Sequence, residues 1–359
     1  MCIAKFLVIS GYAILPEFIA SIHEHIFDPA RLPIAIAALV LSVLLGAVLG
    51  PVGGSANPVL WRFLDGLLGG LGRRLDRADR DEADLIFRGF ILTAIGMAVA
   101  FFIGKYAMYL SELYPEWNLV DMIALLFVTS SASVWSAQGK LYKALSSNNL
   151  VKGAFYAIVR TTRINLAEAD EYTITRTGMA MGARAFDKMI VGPLLWYLIL
   201  GLPAAFLYAG LAALSWRFGR DGFTKGFGRL ALELEKLMGF VPNLIAGLLI
   251  ALAGVFTPTG RMSGALTGFF AQKGKAPYFE GGWPVTATAF ALNVSLGGAA
   301  QDLDGRALKR TWAGPEKATA QLSAQHLRRA GYIVFMAHIL WLAALLGAML
   351  ISGHHLLDF

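Results

Sequence analysis

Charge is what this chain has least of. Only 15% of its 359 residues are Asp, Glu, Lys or Arg, and 57% are hydrophobic; a soluble globular chain carries about 25% charged residues. Cysteine is almost absent. The single Cys2 excludes an internal disulfide framework and any cysteine-based zinc or iron–sulfur centre. A P-loop is missing too: Gly50-Pro51-Val52-Gly53-Gly54 is not followed by Lys-Ser/Thr, so it reads as a turn leaving an apolar segment. No dinucleotide fingerprint and no Ser/His/Asp or Cys/His arrangement is readable. His23-Glu24-His25 would splay its side chains on a helix and has no third partner nearby, so no metal site is expected. The net charge of +7 comes without a basic stripe interleaved with aromatics, and no nucleic-acid partner is expected.

What the chain has is apolar length. A helix needs about 20 apolar residues to cross the hydrocarbon core of a bilayer. Six segments approach that length: 33–50, 89–110, 119–137, 189–214, 240–256 and 332–352. The third carries Thr129, Ser130, Ser131 and Ser133 in its second half, hydroxyls suited to helix–helix contacts inside a bundle. The fourth is broken by Pro193 and by Gly201-Leu202-Pro203, and the fifth has Pro242 near its start. Residues 284–298 are apolar but too short to cross, which fits a buried or re-entrant segment. No strand-like alternation stands out. The fold class is therefore all-α: a polytopic integral membrane protein with about four to six transmembrane helices and re-entrant or interfacial helices.

Basic loops set the expected orientation. Arg62, Arg73, Arg74, Arg77, Arg80 and Arg88 follow the first span, whereas residues 111–118 hold no Lys or Arg. By the positive-inside rule, loops 51–88, 138–188 and 257–330 face the cytoplasm of a bacterial inner membrane. Residues 215–238 are also basic, which simple alternation would place outside. Two dipping segments at 189–214 and 240–256 would resolve this, giving four full spans; six crossings is the alternative. Residues 1–31 read as an N-terminal extension with an interfacial helix, and 32–352 as a single membrane domain. The expected partners are the lipid bilayer and membrane proteins or further copies of the chain.

Several motifs, in order, resemble one family. Residues 193–208, Pro-Leu-Leu-Trp-Tyr-Leu-Ile-Leu-Gly-Leu-Pro-Ala-Ala-Phe-Leu-Tyr, resemble a signature of the adenosylcobinamide-phosphate synthases, the CobD/CbiB membrane proteins of cobalamin biosynthesis. Asn57-Pro58-Val59 is similar to that family's His-Pro-Val segment, and Val241-Pro242 onward to its Ile-Pro segment. Gly282-Trp283-Pro284 through Gly298 resembles its Gly-Trp-Pro segment ending in Leu-Gly-Gly, and residues 312–330 its C-terminal tail. The likeness runs over roughly 35–350. It implies an ATP-dependent ligase that joins aminopropanol or its phosphate to a carboxyl of a corrinoid, with ATP and Mg2+ as cofactors.

The polar positions depart from that pattern. The family's Ala-Glu-Asn with a following Asp falls on Ala183, Arg184, Ala185 and Lys188. Its later Asn and Asp fall on Ala212 and Ser215, and its Asp-Asp pair falls on Glu235 and Lys236. An Asn falls on Gly239, and Ser-Pro-Asn falls on Tyr278, Phe279 and Glu280. Hydrophobic, Gly and Pro positions match while most acids are lost. Lys188 cannot ligate Mg2+ and would repel it at close range. No catalytic residue is therefore assigned. Asn57, Arg176, Arg184, Asp187, Lys188, Glu235 and Trp283 are candidates for a remnant ligand or anion site. Arg184 and Lys188 are four apart and share a helix face, with Arg176 two turns earlier. Three readings result: a catalytically degenerate member with a binding, scaffold or accessory-subunit role; an active ligase with a rearranged site; and a transporter.

Overall fold

A computed structural model describes residues 31–355 apart from 78, 148–151, 220–225, 259, 304, 306 and 309. Most of the N-terminal extension, including His23-Glu24-His25, lies outside the described residues. The chain forms α1 (Arg31–Leu49), α2 (Val59–Leu75), α3 (Glu82–Leu113), α4 (Leu119–Val128), α5 (Ala132–Ser146) and α6 (Lys152–Thr162). It continues with α7 (Glu171–Phe186), a π-helical turn (Asp187–Val191), α8 (Gly192–Leu200) and α9 (Leu202–Phe218). The last helices are α10 (Arg229–Ala253), α11 (Met262–Phe270), α12 (Gly282–Leu292) and α13 (Ala324–His355).

The architecture is a set of long helices around short inner ones. Among the described residues five stretches are long and apolar enough to cross a membrane: Arg31–Leu49, Glu82–Leu113, Leu119–Ser146, Arg229–Phe256 and Ala324–Ser352. No more than 50% of any of these apolar windows is buried within the protein. Their remaining faces display Leu44, Phe90, Phe102, Leu248, Leu252 and Leu350, surface that only lipid accommodates without the cost of hydrating it. The chain is a multi-pass helical membrane protein. Helices α8, α9 and α12 are buried over most of their residues. The largest packing interfaces are α9 on α3 and α12 on both α10 and α11.

One sequence expectation holds and two change. The fourth apolar segment does break, at Gly201 (φ 78°, ψ −166°), a region of backbone space essentially reserved for glycine. Neither α8, with 9 residues, nor α9, with 17, is among the helices long and apolar enough to cross. The fifth segment, expected to dip and return, is one continuous helix of 25 residues with Pro242 inside it. The third segment is not one helix but two, α4 and α5, parted at Thr129–Ser131. At the break the Ser130 backbone N–H donates to Met189 O (3.2 Å), while the hydroxyls of Thr129, Ser130 and Ser133 donate to Leu125 O (2.8 Å), Ala56 O (2.6 Å) and Gly50 O (3.1 Å), the last two in the connection after α1. A break inside an apolar layer persists only with such cover.

A small antiparallel sheet, unannounced by any alternation in sequence, joins β1 (Ile164–Asn165), β2 (Ala300–Asp302) and β3 (Ala307–Leu308) in that order. Strands of two or three residues are too short to show a period. The sheet ties the basic stretch 138–188 to the basic stretch 257–330, and Arg163 reinforces it by pairing with Asp302 at 3.6 Å. Gly201→Ala is expected to cost about 1–3 kcal/mol, because alanine pays the full penalty of that conformation, and to lower the unfolding midpoint of the purified protein in detergent.

Candidate functional site

The site grows from the π-helical turn. A π-turn inserts an extra residue into the helical path and recurs at functional positions. Here it turns two consecutive side chains inward: Asp187 is 0% and Lys188 4% exposed. Glu235 reaches them from the first half of α10, and Tyr278 from the short turn before α12.

The four groups form one buried network. The Lys188 ammonium donates to Glu235 Oε1 at 2.6 Å and sits 3.2 Å from Asp187 Oδ2. It also donates to the Tyr278 hydroxyl. That hydroxyl in turn donates to Glu235 Oε1 at 2.7 Å. Burial, then the adjacent Glu235 carboxylate, push the Tyr278 phenol far above its ordinary value and keep it protonated. Asn243, the residue after Pro242, donates to Asp187 Oδ2 at 2.6 Å and accepts the Trp283 backbone N–H at 3.0 Å. Ser215 on α9 closes the ring with a long contact to Glu235 Oε2 at 3.4 Å.

These are the positions at which the sequence departs from the family pattern. Lys188, Ser215, Glu235, Gly239 and Tyr278 are far apart in sequence and adjacent in space. Gly239 explains part of the change: a Cβ there would lie 1.8 Å from the Tyr278 hydroxyl and 3.2 Å from Glu235 Oε1. A large residue at 278 requires the smallest residue at 239. The arrangement does not fit a divalent cation. The carboxylate oxygens of Asp187 and Glu235 that would ligate one already face an ammonium, whose positive charge stands where the metal's would be.

The seven candidates separate into groups. Asp187, Lys188 and Glu235 come together, and Arg184 lies within their electrostatic reach. Trp283 joins only through its backbone N–H. Its indole stacks on Phe269 (6.2 Å, 10° between planes) and meets Phe240 edge-on, so it is a packing residue. Arg176 is held elsewhere, donating to Ala320 O (2.8 Å) and Thr173 Oγ1 (2.6 Å) with its guanidinium over the Trp312 ring. Asn57 lies apart, in a hydroxyl-lined cavity by the α4–α5 break, and neither amide atom has a hydrogen-bond partner among the described residues. The expected trio of Arg176, Arg184 and Lys188 is thereby corrected: Lys188 is taken up by two carboxylates.

Sequence reasoning missed Asn243 and Arg310. A polar residue just after the proline of an otherwise apolar span was the available signal for Asn243. Arg310 sits beside Glu280, Arg184 and Arg176 only because the small sheet brings its loop there, and nothing local in sequence marks it.

Comparison with known proteins agrees with the sequence motifs. The model of the CobD/Cbib protein family matches residues 35–334, and the chain belongs to that family. It is similar to the probable cobalamin biosynthesis protein CobD of Methanocaldococcus jannaschii, 23% identical over 72% of this chain and 84% of that protein. It is also similar to the protein of the same description from Methanococcus maripaludis strain C7, 26% identical over 59% of this chain and 70% of that protein. The cobalamin biosynthesis protein CobD of Brucella suis biovar 1 is 24% identical over 75% and 83%. No solved structure matches the chain.

Lys188→Met strands two buried carboxylates and is expected to cost about 3–5 kcal/mol of stability. Adding Glu235→Met to it should recover part of that loss, because one of the two stranded carboxylates is then replaced by apolar volume while Asp187 keeps Asn243. Denaturation of the single and double variants checks both outcomes; equal losses for the two would contradict the pairing.

Proposed function

We propose that this chain is a catalytically degenerate CobD/CbiB-family protein of the bacterial inner membrane, with a binding, scaffold or accessory-subunit role. The observation that carries the proposal is the Lys188 ammonium held between Asp187 and Glu235. A ligase that activates a carboxyl with ATP must neutralise phosphate charge, usually with Mg2+ on carboxylate oxygens. In this chain an internal cation occupies those oxygens, and Tyr278 fills the space that Gly239 leaves. The selective loss of acids at positions where the resemblance expects them points the same way. The basic stretches 51–88, 138–188 and 257–330 favour the cytoplasmic side for the polar face. The surface that remains for partners is the lipid-facing bundle and this polar cap.

The second reading is an active cobalamin-pathway ligase with a rearranged site. The family match over residues 35–334 and the cobalamin-biosynthesis descriptions of the relatives favour it. The two readings separate in one experiment. Purified full-length protein is given ATP, Mg2+, aminopropanol phosphate and adenosylcobyric acid, and amide formation is followed. The expected result is no product above the protein-free rate, and no rescue of a strain lacking the family enzyme despite normal membrane expression. ATP-dependent product, or rescue, would refute the degenerate reading.

A further inference from the structure

A pocket lies between α7, the strands β1 and β3, and the turn before α12. Arg184 and Arg310 line it with Glu280, Thr162 and Thr177. The guanidiniums of Arg184 and Arg310 form no ion pair or hydrogen bond with any described residue. Glu280 is committed to the loop, both its carboxylate oxygens accepting the Thr311 backbone N–H at 3.0 Å. The buried side chain of Thr177 lines the same pocket. Among the described lining residues two guanidiniums thus share one carboxylate, with Arg176 adding positive potential and the Glu235 and Asp187 carboxylates acting on Arg184 from outside the pocket. Burial pulls the Arg184 and Arg310 guanidiniums below their ordinary values, with Glu280 opposing at Arg310; neither comes near losing its proton at neutral pH.

Holding like charges side by side in a half-buried pocket without partners is unfavourable. A few residues away the same protein pairs Lys188 with two carboxylates, so the fold does not leave charges unpaired everywhere. Two planar five-donor forks match the oxygens of a tetrahedral anion, and a phosphate monoester brings about two negative charges and three acceptor oxygens. We propose that this pocket is a binding site for a phosphate group, held by Arg184 and Arg310 with Thr177 as a third donor. The proposal stands whether or not any ligase activity survives, since none of the three residues belongs to the Lys188–Glu235 pair.

The test uses full-length protein in neutral detergent, titrated with inorganic phosphate against chloride at matched ionic strength and read by calorimetry. Saturable phosphate binding is expected, weakened about tenfold or more by Arg184→Gln and by Arg310→Gln, because each removes a charge-assisted pair. If a Gln variant fails to elute as a single species, Arg184→Lys and Arg310→Lys keep the charge and lose the fork. They are expected to weaken binding several-fold. Phosphate affinity unchanged in the Arg310 and Arg184 variants, or a response no greater than that to chloride, overturns the proposal. Nanodiscs containing phosphatidic acid in place of phosphatidylcholine then identify the source. Loss of phosphate binding in them assigns the site to a lipid headgroup, and retention assigns it to a soluble phosphate ester. Both results support the site, and neither depends on amide formation.

Discussion

An ammonium group removed from water forfeits hydration worth on the order of 20 kcal/mol in an idealised low-dielectric medium. Lys188 is 4% exposed, so its surroundings must replace nearly all of that hydration. They do so with two carboxylates and a phenol drawn from three parts of the chain: the π-turn, α10, and the turn before α12. Asn243 extends the network from Asp187 to the start of α12 through the Trp283 backbone N–H. None of these elements can shift alone without exposing an unpaired buried charge. Much of the inner architecture is therefore pinned by one cation.

The outer architecture follows a different constraint. Long helices present apolar faces outward because lipid offers no hydrogen bonds. Where the helical ladder is interrupted between α4 and α5, the Ser130 N–H turns to Met189 O and the Ser130 and Ser133 hydroxyls tie the break to the connection after α1. The interruption at Gly201 lets α8 turn back as α9 against α3. Short inner helices can then bring polar groups to the centre while the long ones isolate them from lipid. The Lys188 network is housed in this enclosure, and the arginine pocket lies at its polar end, with Arg184 touching the fields of both.

The legibility of the chain divides along the same line. Apolar runs of membrane length were plain, and so were the break at Gly201 and the shortness of the 284–298 segment. Ordered Gly, Pro and Trp motifs were enough for the family. The replaced polar positions could be read one by one, but not their sum. Lys188 in isolation looked like a lost ligand and one member of a basic trio. Beside Asp187 and Glu235 it is the positive half of a closed ion-pair network. Gly239 and Tyr278 looked like unrelated changes, and their steric dependence became visible only when the Tyr278 hydroxyl was found against the α10 backbone.

The sequence by itself determined that the chain is a helical membrane protein of the CobD/CbiB family, because hydropathy is a local sum and motif order needs no geometry. It also determined that the acids expected at several positions are missing. Only the tertiary structure decided what stands in their place. Whether a buried lysine is a repelled cation or a satisfied one depends on residues 47 and 90 positions away. The pairing of Arg184 with Arg310 depends on a sheet whose strands are two or three residues long. Coulomb energy is set by distance in space, and no local pattern in the chain encodes that distance.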